Sequence, residues 1–123
     1  MSSSDNFKER QERYKSHSLV NVRKYKYFPF MVQSAVLLDI SLSGFKIEFT
    51  GDTDARAGDQ YWLEIPLSPL GIYQPKWLQT KVEIRWFDER RQRVGGVFLG
   101  LDKNAQLILD LIIRTLQERG GLG

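Results

Sequence analysis

Apolar and polar residues alternate along much of the chain between positions 19 and 101, which is the two-residue period of half-buried β-strands. The cleanest example is GFKIEF, in which Phe45, Ile47 and Phe49 share one face. Six segments are predicted strands, separated by loops rich in Gly, Pro and Asp: LVNVRKYKYF, FMVQSAVLLDI, GFKIEF, QYWLEIPL, WLQTKVEIRWF and VGGVFLGL. Short strands at this spacing predict a mainly β fold, a small six-stranded antiparallel β-barrel.

The fifth segment makes the most detailed prediction about the barrel interior. Strict alternation along WLQTKVEIRWF directs one set of side chains inward and leaves Lys81, Glu83 and Arg85 outside. The inward set consists of Leu78, Thr80, Val82, Ile84 and Trp86. Glycines in the sixth segment indicate bulges or close packing of the backbone.

After residue 101 the period lengthens to that of an amphipathic helix. Asp102 or Asn104 is predicted to cap the start of this helix, and Gly120 its end. The apolar stripe comprises Ala105, Ile108, Leu109, Ile112 and Leu116. Three further apolar residues widen it beyond one face: Leu107, Leu111 and Ile113. We expect a C-terminal α-helix that covers the open end of the barrel, or one that also contacts a second subunit or a partner.

Residues 1–17 are polar and charged, and they are predicted to form a flexible N-terminal arm ahead of a barrel-and-helix domain spanning residues 18–123. Any helix in DNFKERQERY is too short to be stable alone. The arm has no apolar run of signal-peptide length. No window of the chain approaches the roughly 18 apolar residues of a membrane span. We therefore expect a cytoplasmic protein without a membrane span.

The composition argues against most kinds of catalysis. The chain has no cysteine and a single histidine, His17. Thiolate metal sites and cysteine nucleophiles are therefore excluded, and nothing supports a histidine-based metal site or a Ser–His–Asp triad. Neither a Walker loop nor a Gly-rich dinucleotide fingerprint is present. We expect a binding module with no enzymatic activity, no metal and no cofactor.

Basic residues are distributed unevenly along the chain. From position 13 to position 38 there is no acidic residue, whereas five basic ones occur: Arg13, Lys15, Arg23, Lys24 and Lys26. A second basic group follows the fifth segment, with Arg85, Arg90, Arg91 and Arg93. Both groups are compatible with solvated faces. They also suit an anionic partner, such as a phosphate, a nucleotide, a nucleic acid or an acidic protein surface.

One specific anion fits the residue types at hand. The planar fork of arginine donates two parallel hydrogen bonds to a phosphate or to O6 and N7 of guanine. A carboxylate or hydroxyl group complements the opposite edge of guanine, where N1–H and N2–H₂ are donors. Arg13 together with Asp39 and Ser41 supplies this combination if the arm folds back onto the barrel.

Residues 39–44, DISLSG, resemble the D/N-x-S-x-x-G motif of PilZ domains, which are bacterial receptors for cyclic di-GMP. The segment KVEIRWFDERRQRVGGVFLGL is similar to the family's penultimate hairpin, and the terminal helix stands where the family places one. GDTDARAGDQYWLEIPL resembles the family's Gly followed by an apolar strand. The resemblance extends from about residue 13 to residue 118.

The resemblance implies that Asp39, Ser41 and Gly44 contact cyclic di-GMP, with Gly44 allowing close backbone approach and a positive φ. The family also places an R-x-x-x-R motif just ahead of the barrel. At that distance this chain has RYKSH, so Arg13 matches and His17 replaces the second arginine. Histidine is mostly neutral at pH 7 and lacks the bidentate fork. Two neighbouring cations, Arg10 and Lys15, are therefore included among the candidate ligand-binding residues.

The resemblance implies two alternative functions. In the first, the protein is a receptor whose arm becomes ordered around cyclic di-GMP, and a downstream protein reads that change. In the second, it is an adaptor of type IV pili or motility that binds no nucleotide, and Asp39 and Ser41 only bond backbone N–H groups of their turn. A third interpretation, binding of nucleic acid by VRKYKYF, is less favoured than a strand with packed Tyr and solvated Lys side chains. The protein is expected to be a monomer or a homodimer.

Overall fold

The computed structural model describes residues 19–27 and 30–119. The predicted arm, residues 1–17, and the predicted cap Gly120 lie outside these residues. A short 3-10 helix, Ser68–Leu70, stands between the fourth and fifth strands. The strands and the helix in chain order are β1 (Leu19–Arg23), β2 (Val32–Ile40), β3 (Gly44–Phe49), β4 (Gln60–Pro66), β5 (Trp77–Asp88), β6 (Arg93–Leu99) and α1 (Lys103–Glu118).

The strands close into a barrel in the order β1-β2-β3-β6-β5-β4. All six pairings are antiparallel, including those of β3 with β6 and of β1 with β4, which are not consecutive in sequence. Closure gives every one of these strands two partners, so none has an open edge. The prediction of a small six-stranded antiparallel barrel with a C-terminal helix is confirmed.

Alternating side chains from all six strands form one apolar core. β3 buries Phe45, Ile47 and Phe49 as its alternation predicts, and β4 buries Leu63 and Ile65. Thr80, from β5, is the buried polar residue of the described part of the chain. The interior is filled by side chains, so a ligand must bind outside the barrel or at its rim.

The predicted inward position of Trp86 is wrong. Ile84 pairs with Gly96 and Trp86 pairs with Gly95, so Arg85 is an extra residue that forms a bulge in β5. A bulge reverses the alternation beyond it. Trp86 is therefore 42% exposed on the outside, against Gly95, while Phe87 takes the inward position and packs on the core.

Helix α1 covers one end of the barrel, as the first interpretation of its stripe predicts. Leu109, Ile112 and Leu116 are buried in the same apolar core as the strands. Of the two candidate caps, Asp102 is the one used, because its side chain accepts the N–H of Ala105 at 2.7 Å. Within the described residues, none of the helices has the length and apolar character that crossing a bilayer requires.

Candidate ligand-binding site

A bulge in β2 turns Asp39 out of the barrel. Leu37 pairs with Ile47 and Asp39 pairs with Lys46, so Leu38 is the extra residue. Without it, the alternation that buries Ala35 and Leu37 would place Asp39 inside. The bulge instead directs Ile40 into the core and leaves Asp39 exposed at the end of the strand.

The turn that follows is closed by hydrogen bonds of Ser41. Its N–H donates to the carbonyl oxygen of Gly44 at 2.9 Å. Its Oγ accepts the N–H of Gly44 at 3.3 Å and the N–H of Ser43 at 3.4 Å. These bonds are the serine turn that the adaptor interpretation predicts. The hydroxyl group is exposed and lies two residues from the carboxylate of Asp39.

Asp39 keeps one carboxylate oxygen for other partners. Oδ1 accepts the N–H of Ile40 at 2.9 Å. Oδ2 receives no hydrogen bond from the residues in 19–27 and 30–119. An exposed carboxylate oxygen beside a rigid turn is a suitable acceptor for an N–H group of a ligand.

Gly44 is required by a close approach of two strands. A Cβ at this position would overlap the carbonyl oxygen of Gly96 on β6. The expected positive φ is wrong, because the glycines with positive φ in the described part are Gly58, Gly71 and Gly100. Gly44 is the first residue of β3 and takes part in its ladder, which needs extended backbone. Its close neighbour is therefore the barrel itself, and Gly44 sets the distance between β3 and β6 beside the turn.

Lys46 is a site residue that sequence reasoning missed. It lies directly opposite Asp39 in the β2–β3 ladder and is half-buried on the outer face. Alternation alone places Lys46 outside, but only the register with its bulge places it next to Asp39. The turn thus offers a carboxylate, a hydroxyl and an ammonium group. Among the described residues no cluster of His, Asp or Glu is arranged to hold a metal ion.

The other predicted ligand-binding residues cannot be placed. Arg10, Arg13, Lys15 and His17 all lie outside the described residues, so the structure brings together only Asp39, Ser41 and Gly44. The contacts of Arg10, Arg13, Lys15 and His17 with phosphate and guanine remain a prediction.

The segment after β1 differs from its prediction as a strand with packed tyrosines. The strand ends at Arg23, and residues 24–27 form a bend. Tyr25 and Tyr27 are exposed, the latter by 86%, whereas Lys26 is half-buried. The reason is that Lys26 lays its ammonium group over the ring of Trp62, 4.8 Å from the centroid. A cation held over an indole is stabilised there, and its stem covers apolar surface.

The described residues form a closed six-stranded barrel with a helix over one end and an exposed polar turn between β2 and β3. The sequence model of the PilZ domain family matches residues 8–114. This chain belongs to the PilZ domain family. PilZ domains are known as a fold of cyclic di-GMP receptors and adaptors.

Solved structures agree on the fold. The PilZ domain of CeSA from a cellulose-synthesizing bacterium is similar with a TM-score of 0.59 and 11% identity, over 82% of this chain and 93% of that one. The inhibitor of motility MotI/DgrA of Bacillus subtilis is similar with a TM-score of 0.59 and 14% identity, over 83% of this chain and 47% of that one. No curated protein matches the sequence.

Proposed function

We propose that this PilZ domain is a non-enzymatic cytoplasmic receptor for cyclic di-GMP. The observation that carries the proposal is the β2 bulge, because it presents Asp39 to solvent beside the Ser41 turn with Oδ2 uncommitted. A regular strand would direct the same carboxylate into the apolar core, where an unpaired charge is strongly disfavoured.

Each side chain of the turn has a distinct part in the proposed complex. Asp39 accepts from N1–H and N2–H₂ of one guanine, and Ser41 adds a hydroxyl contact at the same edge. Lys46 lies opposite Asp39 and offers a positive charge to the nearby phosphate. Gly44 holds β3 against β6, so that the turn keeps its position.

The N-terminal residues complete the proposed site. Arg13 donates its fork to a phosphate or to guanine O6 and N7, and Arg10 and Lys15 add positive charge. His17 can stack on a base but makes no bidentate contact. Closure of residues 1–17 over the ligand is the proposed signal, which a downstream protein reads.

Calorimetric titration of the N-terminal variants tests this arrangement. Arg13→Ala is expected to weaken cyclic di-GMP binding by about one to two orders of magnitude, since a good bidentate contact contributes about 1–3 kcal/mol. His17→Arg restores the family's R-x-x-x-R spacing and is expected to tighten binding about tenfold or more. Arg90→Ala, in the turn between β5 and β6, serves as the matched arginine control and should not change the affinity. Equal affinities for all four proteins would contradict the proposed role of the N-terminal residues.

The second candidate function is that of an adaptor acting through α1. It is favoured by one observation: Leu107 is 70% exposed and Leu111 is 45% exposed, next to Leu42 of the β2–β3 turn at 59%. Leu42 and Leu107 line one open pocket together with Lys103, Gln106 and Asp110, and the barrel does not cover it. The proposed partner in this case is a protein of the type IV pilus or motility machinery.

The two candidates predict opposite results in the host cell. For an adaptor, Leu107→Ser combined with Leu111→Ser abolishes function, whereas Asp39→Ala preserves it and cyclic di-GMP produces no heat on titration. For a receptor, Asp39→Ala abolishes function together with ligand binding. Replacement of the exposed Leu19 by Ser controls for the general effect of removing a surface leucine.

A further inference from the structure

A second polar pocket lies beside Trp62 of β4. It has a volume of about 360 Å³ and is bounded by β4, β5 and the start of α1. In the barrel order β1-β2-β3-β6-β5-β4, the β4–β5 pair is diametrically opposed to the β2–β3 pair. Trp62 of β4 forms one wall of the pocket, and two lysines, Lys26 and Lys81, stand beside it.

Both lysines converge on the same indole. The Nζ of Lys26 is 4.8 Å from the centroid of the Trp62 ring, and the Nζ of Lys81 is 5.9 Å from it. Lys81 reaches this position because it pairs directly with Trp62 in the β4–β5 ladder, and Lys26 because the chain bends after β1. Both lysines line the same pocket, so an anion bound there is attracted by two positive charges.

Two of the carboxylates near the pocket form ion pairs with arginines. Glu64 pairs with Arg23 at 2.7 Å and also accepts from Gln79, while Glu83 pairs with Arg85 at 3.2 Å. Asp102 lines the pocket itself; its Oδ1 accepts the N–H of Ala105 as the cap of α1, and its negative charge offsets part of the positive charge of the two lysines. Across residues 19–27 and 30–119, neither Lys26 nor Lys81 forms an ion pair with a carboxylate.

The indole contributes a donor to the same pocket. The Nε1–H of tryptophan can only donate, and among the described residues no acceptor is bonded to that of Trp62. The pocket therefore combines two positive charges and one N–H donor with the single negative charge of Asp102.

We propose that this pocket binds the phosphate group of a small phosphomonoester. A phosphomonoester carries about −1.5 to −2 charge at pH 7 and has three strong acceptor oxygens, one for each of the three donors, whereas a carboxylate has only two oxygens. Phosphate oxygens accept from Lys26, Lys81 and the indole N–H of Trp62. None of the residues that line the pocket belongs to the Asp39 turn, so the domain offers two candidate anion sites.

Titration with inorganic phosphate at constant ionic strength, followed by two-dimensional ¹H–¹⁵N NMR, tests the proposal. The expected result is a saturable shift of the Trp62 indole N–H resonance, assigned with Trp62→Phe. Lys26→Gln combined with Lys81→Gln is expected to weaken this binding at least tenfold. Lys76→Gln, at an exposed position before β5, is the matched control and should leave it unchanged.

Several outcomes would overturn the proposal. If the shift of the Trp62 indole resonance did not saturate, or were equal in the double variant and the Lys76 control, it would reflect ionic screening and not binding of phosphate in the pocket. Saturable binding of an acidic peptide such as hexaglutamate, with no response to phosphate, would make the pocket a contact for a protein partner instead. Loss of cyclic di-GMP binding in the double variant would show one site rather than two. Unchanged phosphate binding in Asp39→Ala is expected, and it distinguishes this site from the proposed receptor site.

Discussion

Two strands of the barrel each contain one extra residue, and the two bulges have different consequences. In β2 the extra residue is Leu38, and the bulge brings the carboxylate of Asp39 to the surface. In β5 the extra residue is Arg85, and the bulge brings Trp86 to the surface. Asp39 retains an oxygen without a partner among the described residues, whereas Trp86 lies directly against Gly95.

We interpret the exposed position of Trp86 as a local structural feature and that of Asp39 as part of a candidate binding site. Both side chains are exposed for the same geometric reason, so exposure beyond a bulge does not by itself indicate a ligand. The indole of Trp86 lies against a glycine on the neighbouring strand. The uncommitted polar atom of Asp39 is what makes the β2 bulge a candidate site.

The largest effect on stability is expected at Ile84, the buried residue just before the β5 bulge. Ile84→Ala removes a fully buried side chain and is expected to cost about 2–5 kcal/mol of unfolding free energy. Trp86→Ala, on the outside, is expected to cost about 1 kcal/mol or less. Chemical denaturation of both variants measures the difference. If Trp86→Ala lowered the unfolding free energy as much as Ile84→Ala, Trp86 would have to be a core residue. That result would contradict the bulge in β5.

The next largest effect concerns the glycines beside the two bulges. Gly44→Ala forces a methyl group against the Gly96 carbonyl oxygen, which belongs to the backbone and cannot move aside, at a cost of about 1–3 kcal/mol. Gly95→Ala meets the indole of Trp86, which can turn into solvent, and should cost less. Thermal unfolding compares the two, with Gly51→Ala as the control, since no atom lies within 4 Å of a Cβ there. A larger loss of thermal stability for Gly95→Ala than for Gly44→Ala would contradict the expectation that the indole of Trp86 moves aside more easily than the backbone of β6.

Much of the fold was predictable from the sequence because alternation and helical period are local signals. Phe45, Ile47 and Phe49 on β3, and Leu109, Ile112 and Leu116 on α1, follow their periods into the core. The bulges were not predictable, since a single extra residue has no compositional mark and its position depends on the partner strand.

The candidate site was predictable only in part for the same reason. DISLSG identified Asp39, Ser41 and Gly44, but the proximity of Lys46 depends on the ladder register, and the positive φ expected of Gly44 was wrong. The two lysines over Trp62 come from β5 and from the bend after β1, so only the closed barrel brings them together.

A smaller effect is expected from Asp39 on stability. Asp39→Ala removes one partly buried hydrogen bond, from the N–H of Ile40, and should cost about 0.5–1.5 kcal/mol of unfolding free energy. If regular alternation placed this carboxylate in the core, the same replacement would relieve a buried charge and stabilise the protein. Asp52→Ala, in the exposed loop after β3, is the control and should change stability by less than about 0.5 kcal/mol.

The last expected effect on stability is confined to alkaline pH and arises at Tyr61, near the β5 bulge. Burial, followed by the nearby carboxylates of Asp59 and Asp54, raises the pKa of Tyr61 to about 12. The backbone carbonyl oxygen of Asp59 accepts the N–H of Ile84 at 2.8 Å, just before the bulge. Because the folded state favours the neutral phenol, its contribution to stability is complete below about pH 10, the ordinary phenol pKa, and is lost as the pH rises towards 12.

Tyr61→Phe is therefore expected to flatten the fall in unfolding free energy between pH 10 and pH 12, and to remove the last tyrosine step from an ultraviolet alkaline titration. An alkaline titration and unfolding curve identical to those of the wild type would contradict the position of Tyr61 beside Asp59.

The central prediction is that the carboxylate exposed by the β2 bulge, that of Asp39, binds cyclic di-GMP. Calorimetric titration of the wild type, Asp39→Ala and the Asp52→Ala control measures this. We predict saturable binding to the wild type and to the control, and at least tenfold weaker binding to Asp39→Ala. Absence of heat from the wild type at high ligand concentration, or equal affinity of all three proteins, would contradict the receptor proposal and leave the adaptor as the function of this domain.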